Sequence, residues 1–190
     1  MKKAFTVIFL ILITSFGIGS TLNNDSIQGK IFYMTYVNAR YQFEVLFPKD
    51  LLKPNPPPDN NDGRSFDSDD KQVYMVVWGG YNVMGNTWKE DFKSALDGFE
   101  DAQITYKIFK KNMFVISGMR KDKIFYRKQL RVTEEGGEVF LGFEIEYPKK
   151  DKEIWNAIAA KCANSFKRSK VNIPTDTNAM GLGTNFDQFK

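Results

Sequence analysis

Histidine is absent from the chain, and Cys162 is its one cysteine. Without an imidazole there is no Ser-His-Asp or Cys-His catalysis and no histidine-ligated metal site. A lone thiol excludes an intrachain disulfide, and no cysteine lies where a lipid-modified leader would need it. Net charge is also scarce. The 27 Lys and Arg stand against 23 Asp and Glu, a balance of +4, and removing Lys2 and Lys3 with an expected leader takes this down by two, to +2. Nucleic-acid binding needs a concentrated basic surface, so no nucleic-acid partner is expected. Long apolar runs are missing too. Ala4–Ile13 is shorter than the ~20 residues that span hydrocarbon.

That short run nevertheless has a role. Lys2 and Lys3 precede it, and Thr14–Ser20 after it is small and loosely polar, with a small-x-small site at Gly17 and Gly19. This is the pattern of a secretory signal peptide, cut near Gly19 or Ser20. The expectation is an exported protein, periplasmic or secreted, with no stable membrane anchor after cleavage. Residues 21–30 would then be an N-terminal arm, 31–168 a single α+β domain, and 169–190 a polar, flexible tail lacking apolar periodicity.

Aromatic residues are plentiful: 17 Phe, 8 Tyr and 3 Trp in 190 residues. They suit a sheet-rich interior and a chain long enough for one real core. The strongest pattern is Lys123–Pro148, two alternating runs around Gly136-Gly137, which predicts a long β-hairpin. Folding it in register pairs Val132 with Val139, Leu130 with Leu141, Tyr126 with Ile145 and Ile124 with Tyr147. Phe143 then lies on the apolar face opposite Lys128, while Arg127 and Glu144 pair across the strands on a face expected to be wetter. Strands are also expected at 31–37, 41–47, 64–68, 72–78, 103–109 and 113–119. The stretch 79–86, with Gly79, Gly80 and Gly85, is expected to be a loop with unusual φ values. Thr87 and Glu90 form a capping box for a helix whose Trp88, Phe92, Ala95, Leu96 and Phe99 face the sheet. A last helix, capped by Asp151, runs to Phe166 with Ile154, Ile158, Cys162 and Phe166 as its inner stripe. Cys162 there is a small buried hydrophobe. Pro54–Pro58 is extended and unfit for a central strand. The fold class is α+β, an antiparallel sheet of about seven strands flanked by helices.

Candidate chemistry is sparse. Asp59, Asp62, Asp67, Asp69 and Asp70 crowd one segment, but aligning Gly63 with the invariant glycine of an EF-hand loop puts Pro58 at the first ligand position; no metal or other cofactor is expected. Nine Lys or Arg between 107 and 131 could meet an acidic partner or anionic headgroups, or form a solvated face balanced by Glu144 and Glu146. Those two glutamates read as surface charge rather than an acid–base pair. Tyr81 and Met84 are apolar residues on a loop and so candidate contact residues. Lys128, beside Tyr126 on the apolar face, either snorkels at the sheet edge or lines a cavity. The candidate partner-binding residues are therefore Tyr81, Met84, Tyr126 and Lys128.

The element order carries a resemblance. Strand Tyr41–Phe47 ends in Pro48, and Asn61-Asp62-Gly63-Arg64 and Phe66-x-Ser68 lead into strand Gln72–Trp78. A helix from Thr87, a strand bearing Phe125-Tyr126-Arg127-Lys128 and a final helix ending in Ser165-Phe166 follow. Over about residues 35–167 this resembles bacterial exported domains of the PsbP-like (Mog/PsbP) fold. The resemblance implies an antiparallel sheet with flanking helices and a non-enzymatic binding or scaffolding role, with no functional residue to transfer. The functional expectation is an exported binding or accessory module of the envelope or secretome, engaging a protein or envelope component. The alternatives are an Asp/Glu enzyme, with or without a metal, and a purely structural accessory protein. An exposed apolar patch around Tyr81 favours the binder; a deep pocket with buried carboxylates favours the enzyme.

Export makes a direct prediction. Mass spectrometry of the protein recovered from its cells should give an N-terminus near Ser20 or Thr21; an intact Met1 in the cytosolic fraction would refute the leader.

Overall fold

The structure, a computed structural model, describes residues 31–134 and 136–169. Along the chain run β1 (Tyr33–Asn38), β2 (Phe43–Pro48), β3 (Lys53–Pro54), β4 (Gly63–Asp67), β5 (Tyr74–Tyr81), α1 (Trp88–Asp97), β6 (Gln103–Phe109), β7 (Met113–Arg120), β8 (Lys123–Glu134), β9 (Gly137–Pro148), α2 (Lys152–Ser165) and β10 (Lys167–Arg168). Seven strands form one antiparallel sheet in the order β3-β4-β5-β9-β8-β7-β6. The hairpin β8–β9, with twelve residues in each strand, lies at its centre in the register expected, with Lys128 opposite Phe143, Arg127 opposite Glu144 and Val132 opposite Val139.

A second, three-stranded sheet, β1-β2-β10, was not foreseen. Tyr36, Phe43, Val45 and Phe47 turn inward from it. They meet Met75, Val77, Leu141, Phe143 and Ile145 of the large sheet, together with α2, in one core. Tyr41 is buried as its alternation predicts. It precedes the strand, because Gln42 takes a left-handed φ of 47° and Asn38 Oδ1 accepts the Tyr41 N–H at 2.8 Å. β10 and Ser169 extend the docked chain past α2: Lys167 and Arg168 pair with β2, and Ser169 N–H donates to the Gln42 carbonyl at 2.7 Å. The rest of the expected tail, 170–190, lies outside the described residues, as do the leader and the arm.

The face expected to be wetter is a second core. The capping box forms as expected, with Thr87 accepting from the Glu90 N–H and Glu90 from the Thr87 N–H. α1 and the turn after it then lay Trp88, Ala95 and Phe99 against Phe114, Ile116 and Phe125, all buried. Phe99 stacks flat on Phe125 at 4.2 Å between centroids. Arg127 and Glu144 are caught at the margin of this packing, with 23% and 18% of their side chains exposed and 3.8 Å between their charged atoms. Glu144 is not surface charge: burial holds its carboxyl above the ordinary glutamate range, while the Arg127 guanidinium pulls the other way.

Three further expectations are corrected. Gly79 and Gly80 belong to β5, paired with Leu141 and Phe140, and Gly79 serves close approach rather than a turn. A Cβ on Gly79 would stand 2.4 Å from Tyr41 Cγ, and one on Gly142 would stand 2.1 Å from the Trp78 ring. In this segment only Gly85 has positive φ, at 68°. In α2, Ile154 is 52% exposed and the inner stripe is Trp155, Ile158, Ala159, Cys162, Ala163 and Phe166. A strict spacing of four drifts off one face, whereas i, i+3, i+4, i+7 holds it. Asp151 stands at the N-cap of α2 without a side-chain cap bond.

The sheet's margins are blunted, as exposed edges require. β3 has two residues and ends at Pro54, and β6 carries a register shift between Ile104 and Tyr106.

Adjacent positions on β9 test both cores. Phe143→Ala empties a fully buried ring site and should cost ~3–5 kcal/mol. Glu144→Ala leaves Arg127 half-buried without its partner and should cost ~1–3 kcal/mol. Denaturant unfolding of the two variants measures this; a larger loss for Glu144→Ala would break the assigned register.

Candidate functional site

The register fixes which loops share an end of the large sheet. Tyr81 closes β5 opposite Val139 near the start of β9, Val139 lies opposite Val132 near the end of β8, and Leu130 lies opposite Met113 at the start of β7. The loop 82–86, the β6–β7 turn and the tip of the β8–β9 hairpin therefore gather at one pole, together with the N-terminus of α1.

The loop 82–86 is built around one side chain. Asn82 continues the ladder by donating its N–H to the Glu138 carbonyl at 2.9 Å. Its Oδ1 accepts the Asn86 N–H at 3.0 Å, and its Nδ2 donates to the Asn86 carbonyl at 2.9 Å and to Glu138 Oε2 at 3.1 Å. Gly85 supplies the left-handed residue that lets the chain return. The base of the loop is thus closed across four residues, and its tip is left outside: Val83 is 85% and Met84 81% exposed.

Aromatic residues surround this tip. Tyr81, 51% exposed, leans on the buried Tyr41 ring at 5.3 Å, and the Arg40 guanidinium lies 5.1 Å over the same ring. Trp88, the first residue of α1, donates its indole N–H to the Lys110 carbonyl at 2.9 Å and stacks on the exposed Phe109 at 6.2 Å. That bond ties the Lys110–Lys111 turn to the start of α1. Four carboxylates here are engaged internally. Glu138 pairs with Arg131 and Glu134 with Arg168. Glu90 accepts from Thr87 N–H and Oγ1–H, and these bonds hold its carboxyl below the usual range. Asp91 accepts from Asn86 Nδ2. Lys89, Lys110 and Lys111 are exposed and form no ion pair among the described residues.

Of the four expected contact residues, the structure brings Tyr81 and Met84 together and separates Tyr126 and Lys128 from them. Lys128 lies four positions along β8 from Val132, about 13 Å at ~3.3 Å per residue, and Tyr126 lies further still. Lys128 neither snorkels at an edge nor lines a cavity. Its ammonium donates to the Ala163 and Phe166 carbonyls at 2.7 and 3.1 Å, closing the C-terminus of α2, where a cation is favoured. Burial lowers its pKa. Tyr126 packs edge-on to Phe143, and burial raises its phenol pKa. Both side chains pack away from the pole. Gly19 and Ser20 lie outside the described residues. Sequence reasoning missed Val83 and Phe109. Val83 carried the same signal as Met84, an apolar residue between glycines and asparagines, whereas Phe109 looked like one more strand residue.

Elsewhere the chemistry is quiet. A shallow cleft of about 280 Å³ is lined by Asp50, Asp69, Asp70, Asp151 and Trp155 among others. Asp70 is held by Ser68 Oγ and the Gln72 N–H, which keep its carboxyl low. Asp67 is bound by Lys71 and Asn55. Among the described residues no three His, Cys, Asp or Glu side chains converge as a metal site. The nine cations of 107–131 do not form a patch: Arg120 binds Asp101 and Glu146, Arg127 faces Glu144 and Arg131 binds Glu138. Cys162 is fully buried and its thiol is pushed up to about 12 by burial. No helix among the described residues is long and apolar enough to cross a membrane.

No family model matches the chain, and a search of curated proteins finds no match. Solved structures do. The solution structure of cyanobacterial PsbP (CyanoP) from Synechocystis sp. PCC 6803 aligns with a TM-score of 0.50 at 12% identity, covering 83% of this chain and 98% of that one. The 1.9 Å crystal structure of the Saccharomyces cerevisiae Ran-binding protein Mog1p aligns with a TM-score of 0.46 at 8% identity, covering 73% of this chain and 96% of that one. The fold is PsbP-like, as the order of elements implied.

The staple gives a local prediction. Asn82→Ala removes the three side-chain bonds across the loop and should cost about 1–2 kcal/mol. Amide exchange at residues 83–86 should accelerate while the β8–β9 ladder stays protected; unchanged exchange at 83–86 would mean that Asn82 does not order the loop.

Proposed function

We propose that this chain is an exported, non-enzymatic binding or accessory module that engages a protein or envelope partner through the pole carrying Tyr81, Val83 and Met84. The observation that carries this reading is the stapled loop, whose base is fixed by Asn82 and whose two apolar tip residues are left in water. Ordered, exposed apolar side chains mark contact surfaces more than scattered ones do. Export is supported by the pattern of Met1–Ser20, and the leader would bring the domain to the envelope. The non-enzymatic part is supported by how the carboxylates are used. Glu144 is committed to Arg127, Glu146 to Arg120, and Asp67 and Asp70 to their own turns, so none of these pairs among the described residues is poised for acid–base work.

The test is photo-cross-linking in the producing cells. A benzophenone side chain at position 84 should give adducts with another molecule, and the same group at Asp69, at the opposite pole, should not. Failure to form any adduct at 84, with protein or with lipid, would overturn the binding reading.

A further inference from the structure

Resting on that binding-module reading, we propose that the partner of this pole is an anionic lipid bilayer surface, which Val83 and Met84 enter at the headgroup–acyl boundary while Lys89, Lys110 and Lys111 meet the headgroups.

Three observations point there. The first is shape. Val83 and Met84 are the most exposed large apolar residues described, at 85% and 81%, and they stand on a projecting tip rather than in a groove. A projecting aliphatic pair is buried without a matching pocket when the other side is deformable, as acyl chains are. The second is charge. Around the loop and the β6–β7 turn, the described acids Glu90, Asp91, Glu134 and Glu138 each have an internal partner, while Asp59 and Asp62 precede β4, on the other side of the sheet from β6 and β7. Lys89, Lys110 and Lys111 form no ion pair among the described residues and are exposed, so the field beside the β6–β7 turn is positive, and basic residues beside an anionic leaflet each add to binding. The third is placement. Trp88 fixes the Lys110 carbonyl only four residues after Met84, so the tip and the lysine turn are held on one rigid scaffold. Tyr81 and Phe109, half exposed beside them, have the amphipathic or aromatic character that suits the headgroup level. The apolar area is small, so attachment is reversible and weakens with salt.

The experiment places an environment-sensitive nitrobenzoxadiazole label at Met84→Cys in the full chain. Cys162 is buried with its thiol pushed up to about 12, so the new cysteine takes the label. Phosphatidylcholine vesicles containing phosphatidylglycerol should shift the emission to the blue and raise it roughly threefold or more, as entry into an apolar layer does. Vesicles of phosphatidylcholine alone should change it far less. Lys110→Glu with Lys111→Glu should weaken the response about tenfold or more, and a label at Asp69→Cys should stay aqueous. Because the label reports only its own surroundings, attachment through the leader leaves it in water. An unchanged label at 84, or an equal response at 69, overturns the bilayer proposal. If position 84 then still forms cross-links to a protein in cells, the binding module stands and its partner is a protein; if it forms none, both fall.

Discussion

Everything in this domain depends on the in-register pairing of β8 with β9. Twelve residues on each strand are matched, and both neighbours, β5 and β7, are built on that pair. Because successive side chains point to opposite faces, the pairing feeds two cores at once. Phe143, Leu141 and Ile145 go to the core closed by α2 and the small sheet. Phe125 goes to the core closed by α1. A slip of one residue would exchange the two sets and put Glu144 and Arg127 under α2. The fold therefore has little freedom at its centre, and the ladder fixes where each loop emerges.

A sheet covered on both faces has a consequence for its charges. Arg127 and Glu144 are withdrawn from water at the edge of the α1 packing, and each is compensated by several neighbours. Arg127 lies 5.1 Å over the Trp78 ring and donates to Gln129. Glu144 is compensated by Arg127 and Arg120, while burial, with the like charge of Glu146, raises its pKa. A carboxyl raised on folding favours the native state while it is protonated. That part of the stability is present below the unfolded value and is lost as pH rises through the folded one. Burial also lowers the pKa of Lys128, so its charged form is penalised by folding, and the carbonyls of α2 offset that penalty by direct hydrogen bonds. These perturbed groups are consequences of packing.

The parts legible in the sequence were those governed by local period or local chemistry. The hairpin register followed from alternation around Gly136-Gly137, the start of α1 from Thr87 and Glu90, and its inner face from helical spacing. What was not legible depends on residues distant in sequence. Nothing near Gly79 announces that the Tyr41 ring will lie against it, and nothing near Gly142 announces Trp78. Lys128 looked anomalous on an apolar face because its partners, the last carbonyls of α2, lie more than thirty residues away. Glu144 looked exposed because the cover over its face comes from α1. The second sheet was missed for the same reason, since β10 reaches β2 across most of the chain. At the pole the position is reversed. The exposure of Met84 was legible because a loop between a strand and a capped helix is a local feature, whereas Tyr81 is the exposed last residue of β5.

The loop 82–86 joins two elements that need only a connection. β5 has finished pairing with β9, and Thr87 caps α1 without help from Val83 or Met84. Neither core contains either residue, so their apolar character adds nothing to folding and leaves hydrophobic surface in water. A connector chosen for solubility alone would carry polar residues there. Asn82, by contrast, spends its whole side chain on closing the loop, which removes conformational freedom that a passive connector has no reason to lose. Order at the base together with apolar exposure at the tip lowers the entropic cost of contact. That combination separates this loop from the other exposed apolar positions. Ile154 and Tyr106 also face water, but each lies on a helix or strand whose other face is what the fold uses.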